Sequence, residues 1–159
     1  MSPHPDFDGD AELRRAMHAA LGGGTAVVLA TVSTTGVPAT ALCTWVVAVG
    51  TDSIALALDH RSGAYANIAA GSTKVAMEIL ADDLVIAARG ESRVARGEMA
   101  SVPFPCAAIC VHISEIRDHS VRGIRFHAPT YVFEAEKQHR IEVERKIFAE
   151  LASVSELAT

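Results

Sequence analysis

Between residues 25 and 58 the chain offers three β-prone runs with nothing longer than a tight turn between them, and that spacing decides most of what can follow. Residues 25–34 are rich in Val, Ala, Leu and Thr, Thr35-Gly36 interrupts them, residues 38–49 are β-prone again, and Gly50-Thr51-Asp52 leads into a third run over 53–58. Parallel neighbours need a crossover of a dozen residues or more, usually a helix, whereas antiparallel neighbours need only a short turn. The chain has no room here for crossovers. The segment reads as an antiparallel meander.

The flanking segments are consistent with one compact unit over residues 1–159. Residues 8–21 read as a helix with Asp8 or Asp10 as cap, Leu13, Met17, Ala20 and Leu21 at helical spacing, and Glu12, Arg14 and Arg15 toward solvent. Gly22-Gly23-Gly24 ends it; a phosphate-cradling loop would need a strand before the glycines and a helix after them, and the order here is the reverse. A short helix over 61–70 has Ser62 as its N-cap and Gly71 as its stop. Strands follow at 74–80 and 84–96, the second alternating Leu84, Ile86, Ala88 and Gly90 against Arg89, Glu91 and Arg93. A loop over 97–105 leads to a sixth strand over 107–117, an irregular stretch over 118–130, and a charged helix over 134–151 with Ile141, Ile147, Phe148 and Leu151 as its apolar stripe. The fold class is mainly β (α+β): six antiparallel strands with N-terminal, middle and C-terminal helices. Six strands and 5% aromatic residues fit a small closed barrel, with a two-layer sandwich as the alternative.

Charge and cysteine usage remove several function classes. Fourteen Lys and Arg against 19 Asp and Glu leave a net charge of −5, and no basic cluster offers a nucleic-acid footprint. Three cysteines do not make a disulfide framework. No basic-then-apolar leader opens the chain, and no apolar stretch reaches the ~18 residues of a membrane span. The expectation is a soluble, cytoplasmic protein that binds neither nucleic acid nor membrane.

Seven histidines invite a metal reading. Cys106, Cys110 and His112 fall on one strand face, but structural zinc wants four ligands at tighter spacing, so no metal is assigned. Cys43 has no nearby cation to activate it and reads as a core thiol. Trp45 reads as a core or interface residue. No Ser-His-Asp arrangement has local context, which leaves hydrolase chemistry without support.

The run Leu29-Ala30-Thr31-Val32-Ser33-Thr34-Thr35-Gly36-Val37-Pro38, then Arg61-Ser62, Asn67-Ile68 and Lys74-Val75-Ala76, resembles the pyridoxamine 5'-phosphate oxidase-like, FMN-binding split barrels. The resemblance spans residues 25–117. It implies a six-stranded split barrel that works as a homodimer, with a flavin in each of two grooves between protomers. Ala41, Leu42, Cys43 and Thr44 would then lie along the isoalloxazine ring; Leu58, Asp59, Arg61 and Ser62 would face the ribityl chain and phosphate; and Lys74 matches a basic position of the next strand.

Two departures bear on chemistry. Gly63 and Ala64 stand where the oxidase carries an Arg-Lys pair against the phosphate, and Ala41 stands where its second-strand motif opens with arginine. Pyridoxamine phosphate oxidation is therefore not expected. The resemblance implies an FMN-dependent oxidoreductase acting on an unidentified small molecule, with hydride transfer through flavin N5 and no catalytic side chain named. The alternative it leaves is a non-catalytic or haem-related binding protein on the same barrel, with His119 or His127 as a haem ligand, and haem or a deazaflavin in place of FMN.

Overall fold

The computed structural model describes residues 9–154, so the capping role read for Asp8 lies outside the described residues. The elements are α1 (Asp10–Ala20), β1 (Ala26–Val32), β2 (Pro38–Cys43), β3 (Val46–Ala48), β4 (Ser53–Asp59), α2 (Gly63–Ala69), β5 (Lys74–Ala81), β6 (Leu84–Arg96), β7 (Cys106–Asp118) and α3 (Arg140–Ser153), with a 3-10 turn at Ala135–Lys137 before α3. The α+β class holds: three helices accompany a curled, wholly antiparallel sheet.

That sheet has seven strands in the order β2-β1-β5-β6-β7-β4-β3, which corrects the expected six. The run over 38–49 is two strands, not one. β2 pairs with β1 through Val27↔Cys43 to Val32↔Pro38, whereas β3 pairs with β4 through Val46↔Leu56 to Ala48↔Ile54. Thr44 and Trp45 carry the chain from one partner to the other. The two edges of the curled sheet are therefore consecutive in sequence.

The concave side holds the main core. Val27, Leu29, Ile54, Leu56, Ile79, Ile86, Ile109 and Ile113 meet there, almost wholly buried. α1 plugs the side where β4 begins with Leu13, Met17 and Leu21, and α2 plugs the other with Ala64 and Ile68. Arg14, assigned to solvent from its helical position, instead ties α1 across the barrel end: its guanidinium donates to Asp10 (2.6 Å), Asp52 (3.1 Å) and the Ile113 carbonyl (3.0 Å). Gly9 rather than Asp10 occupies the α1 N-cap position.

A second core lies on the convex side. Val47, Ala55, Ala57, Cys106, Ala108 and Cys110 pack under Ile147, Leu151 and Val154 of the α3 segment. β4 and the first half of β7 are thus buried on both faces. Ile141, read as part of the α3 stripe, is half-exposed because α3 touches the sheet only from its middle onward. Two glycines are set by close approach. Gly23, at φ +119°, leaves room for the Phe148 ring, 2.9 Å from where a Cβ would stand, and a Cβ on Gly90 would run into the His112 carbonyl at the β6–β7 register shift.

Candidate functional site

The residues expected to hold a cofactor sit on two neighbouring pieces of chain. On β2, side chains alternate. Cys43 is buried in the core and Ala41 packs against it, while Leu42 points outward, 70% exposed. Burial pushes the Cys43 thiol up to about 11, which keeps it protonated and unreactive, as its lack of nearby cations implies. Beyond β2, the Thr44 hydroxyl lies against the Tyr131 oxygen, which donates to Glu144 at 2.7 Å.

The other piece follows β4. Leu58 is buried in the core, so only its backbone is available to a ligand. Asp59 turns outward and takes three donors from one residue: the Arg61 backbone N–H (2.8 Å), its Nε (3.1 Å) and its Nη2 (2.7 Å). These bonds hold the Asp59 carboxyl down to about 2. The Arg61 side chain is 84% exposed beyond this clasp. Ser62 caps α2 by accepting from the Tyr65 N–H at 3.1 Å, which leaves its own O–H as a donor. His60 stacks on Tyr65 with centroids 4.5 Å apart and donates from Nε2 to the Gly97 carbonyl at 2.7 Å, fixing the turn.

An aromatic ladder joins the two pieces. The Ala57 N–H donates to the Trp45 carbonyl, which brings the β2–β3 break beside the end of β4. Trp45 stacks with Phe104 at 6.1 Å, and the Arg61 guanidinium lies over Phe104 at 6.0 Å. Trp45 Nε1 donates to the same Glu144 that receives Tyr131, so Glu144 is a working acceptor rather than part of a solvated face. Phe104 and Glu144 escape sequence reasoning because nothing local marks them: one sits in a loop and the other on a charged helix, and each meets its partners only across the fold.

Lys74 opens β5 on the convex side, opposite Glu91. Next to it lies a groove of about 430 Å³ across the outer face of β1, β5 and β6. Register builds it from two rows. One runs Leu42–Val28–Glu78–Ala87–Arg117 and the other Thr40–Ala30–Ala76–Arg89–Glu115. Leu42 therefore heads a row that continues into the groove. Three alanines and a valine floor it, flat enough for close approach by a ring or a second sheet. Glu115 clasps both arginines, Arg89 at one oxygen and Arg117 (2.7 Å) at the other, and His119 Nδ1 meets Glu78 at 2.9 Å on the rim. Beyond His119 the irregular segment runs past the β5–β6 turn, with Phe126 and Ala128 N–H groups on Asp83 and Asp82, to Tyr131. Among the described residues no three His, Cys, Asp or Glu side chains converge as a metal site, and no helix is long and apolar enough to cross a membrane.

Solved structures share this architecture. A heme-binding protein from Mycobacterium smegmatis superposes with a TM-score of 0.58 at 16% identity, over 79% of this chain and 60% of that one. An F420 reductase gives 0.52 at 18% identity over 63% and 94% of the two chains. An FMN-binding protein from Syntrophomonas wolfei gives 0.51 at 18% identity over 70% and 84%. No family model matches the sequence, and no curated protein matches it. The resemblance read from the sequence holds at the level of the fold, which is that of the FMN-binding, pyridoxamine 5'-phosphate oxidase-like split barrels.

Proposed function

We propose that the chain is a flavin-dependent oxidoreductase that works as a homodimer, with FMN lying between the open sheet face of one protomer and its partner. The observation that carries this reading is the alanine-floored groove, continuous in register with Leu42 and open along one side. Its volume falls within the usual range for small-molecule sites, and a planar ring lies flat only on side chains as short as these. The second copy is favoured by the pattern of charge. Glu78 lies in one row and Arg89 in the other, so a copy turned through a two-fold axis can set acid against base around an apolar centre. Arg61 and the Ser62 hydroxyl supply donors toward the ribityl–phosphate end. FMN, when bound, supplies the N5 position through which a hydride passes; the protein supplies placement and exclusion of water. That fold-mates include FMN-binding proteins supports the assignment by analogy of fold.

A second reading, a haem-binding protein, is favoured by one feature: His119 on the groove rim, with Nδ1 held by Glu78 and Nε2 left for a metal. The absorbance spectrum of the purified protein decides between them. Flavin bands, with FMN released on denaturation and identified by mass, are the expected result; a Soret band lost in His119→Ala establishes the alternative; a colourless protein that takes up neither cofactor refutes both.

A further inference from the structure

The loop between β6 and β7, residues 97–105, has no regular structure, yet two residues of the turn after β4 lean on it. The Gly97 carbonyl accepts from His60 Nε2 at 2.7 Å, and the Pro105 carbonyl accepts from the His60 backbone N–H at 3.1 Å. Phe104 stands against the Arg61 guanidinium at 6.0 Å. The turn over 59–62 thus meets the loop at both of the loop's ends, and it keeps its shape only if the loop keeps its own.

What holds the middle of the loop is α3. One Glu150 oxygen accepts from the Ser101 backbone N–H (2.8 Å) and hydroxyl (2.6 Å). The other accepts from Arg96 Nη1 (2.6 Å) and the Ala100 N–H (3.2 Å). The Glu150 side chain is 9% exposed, so these charge-assisted bonds are made largely out of water, where they are strong. Met99 and Val102 are also buried in the convex core, but apolar burial has no direction and does not fix where Gly97 and Phe104 stand. The carboxylate does have direction. It fixes two consecutive backbone N–H groups and the residue that ends β6.

We propose that Glu150 is a positioning residue for the turn over 59–62, acting through the loop over 97–105 and through His60 and Phe104. What the turn holds rests on the flavin reading; its dependence on Glu150 does not. A helix on the convex side thereby sets the readiness of a binding turn that it does not itself form.

The test compares Glu150→Gln with Leu151→Ala. Glutamine keeps one acceptor oxygen but turns an N–H group toward Arg96 and Ala100. Leu151, the next residue of α3, is fully buried in the convex core, so its loss weakens the helix while leaving the Glu150 bonds their partners. Amide exchange is read at His60, Arg61 and Ser62, which exchange by local opening rather than by unfolding of the whole chain. These amides are expected to exchange about tenfold faster in Glu150→Gln and to change by less than about twofold in Leu151→Ala. Ser101→Ala, made from the loop side, should give a smaller increase and add little to Glu150→Gln. In parallel, FMN affinity should fall about fivefold in Glu150→Gln and less than about twofold in Leu151→Ala, because a loosened turn misplaces its backbone, Ser62 and Arg61 together. Equal exchange in the two helix variants, or an unchanged turn in Glu150→Gln, overturns the proposal. An FMN affinity shared by wild type and Glu150→Gln also overturns it and leaves the flavin reading standing. Faster exchange at the turn, with no flavin bound by either protein, establishes the positioning role and refutes the flavin reading.

Discussion

The convex side of the sheet has two halves built from the same kind of residue and left in opposite states. Under α3, Ala55, Ala57, Ala108 and Cys110 are buried. Across β1, β5 and β6, Ala30, Ala76 and Ala87 lie open in the groove. Small side chains on an outward face let another element approach closely, and in the first half that element is present in the chain. A strand face meant for water would carry charged side chains throughout, as Glu91 and Arg93 do farther along β6. The covered half is the model for the contact proposed above for the open half, with a ligand, a second protomer, or both.

Five substitutions break or sharpen this contrast. Leu151→Ala removes a fully buried side chain from beneath α3 and is expected to cost about 2–5 kcal/mol of stability, whereas Val28→Ala on the open half should cost about 1 kcal/mol or less; thermal or urea unfolding of the isolated variants measures both. Equal losses would mean that the open half is as filled as the covered one. Ala76→Glu places a charge on the open floor and should leave the protomer folded while weakening the proposed dimer by about a hundredfold, read by light scattering as a move from twice the 16.8 kDa chain mass, the value the proposal expects of the wild type, toward the single chain.

Glu150 anchors the covered half. Its carboxylate accepts from Arg96, from the Ser101 backbone and hydroxyl, and from the Ala100 N–H. Burial works to raise its pKa, and the bonds from Ser101, Arg96 and Ala100 outweigh that and hold it below the ordinary carboxylate value. The unfolded chain thus binds this proton more readily than the folded one. The contribution is complete above the unfolded value near 4.3 and is lost as pH falls through the lower folded value. Glu150→Gln should cost about 1–3 kcal/mol at neutral pH and flatten the decline of stability below about pH 4, followed by urea unfolding across pH. Arg61→Ala should have the smallest effect: with Asp59 already neutralising the guanidinium, FMN affinity in a flavin titration should fall by no more than about threefold, where an uncompensated arginine would cost tenfold or more.

Sequence reasoning reached furthest where one local rule operates alone. The 13-residue strand Leu84–Arg96 shows its alternation directly, and Ser62 announces its capping role by position. It stopped where partners are chosen across space. Thr44 and Trp45 are as β-prone as their neighbours, and what ends β2 is a change of pairing partner that no periodicity records. The position of Arg14 on a helix wheel gives no hint that a carbonyl of β7 waits 3.0 Å away. Of the candidate site, the turn at Asp59, Arg61 and Ser62 was legible as chain, but its electrostatics were not, because the Asp59–Arg61 clasp depends on how two side chains fold back over one turn. The groove needs the registers of five strands before its two rows exist.

The junction at Thr44 and Trp45 also governs how the barrel can come apart. β2 and β3 are its two edges, and two residues join them. An edge strand of an ordinary sheet frays by itself, but β2 cannot lift from β1 without drawing on Trp45, whose indole is pinned to Glu144 of α3 and stacked on Phe104. Local opening at either edge is thereby coupled to the helix that covers the far side. Amide exchange in β2 and β3 should follow a shared event rather than two independent ones. The fluorescence of Trp45, the one tryptophan in the chain, reports that event from its hinge.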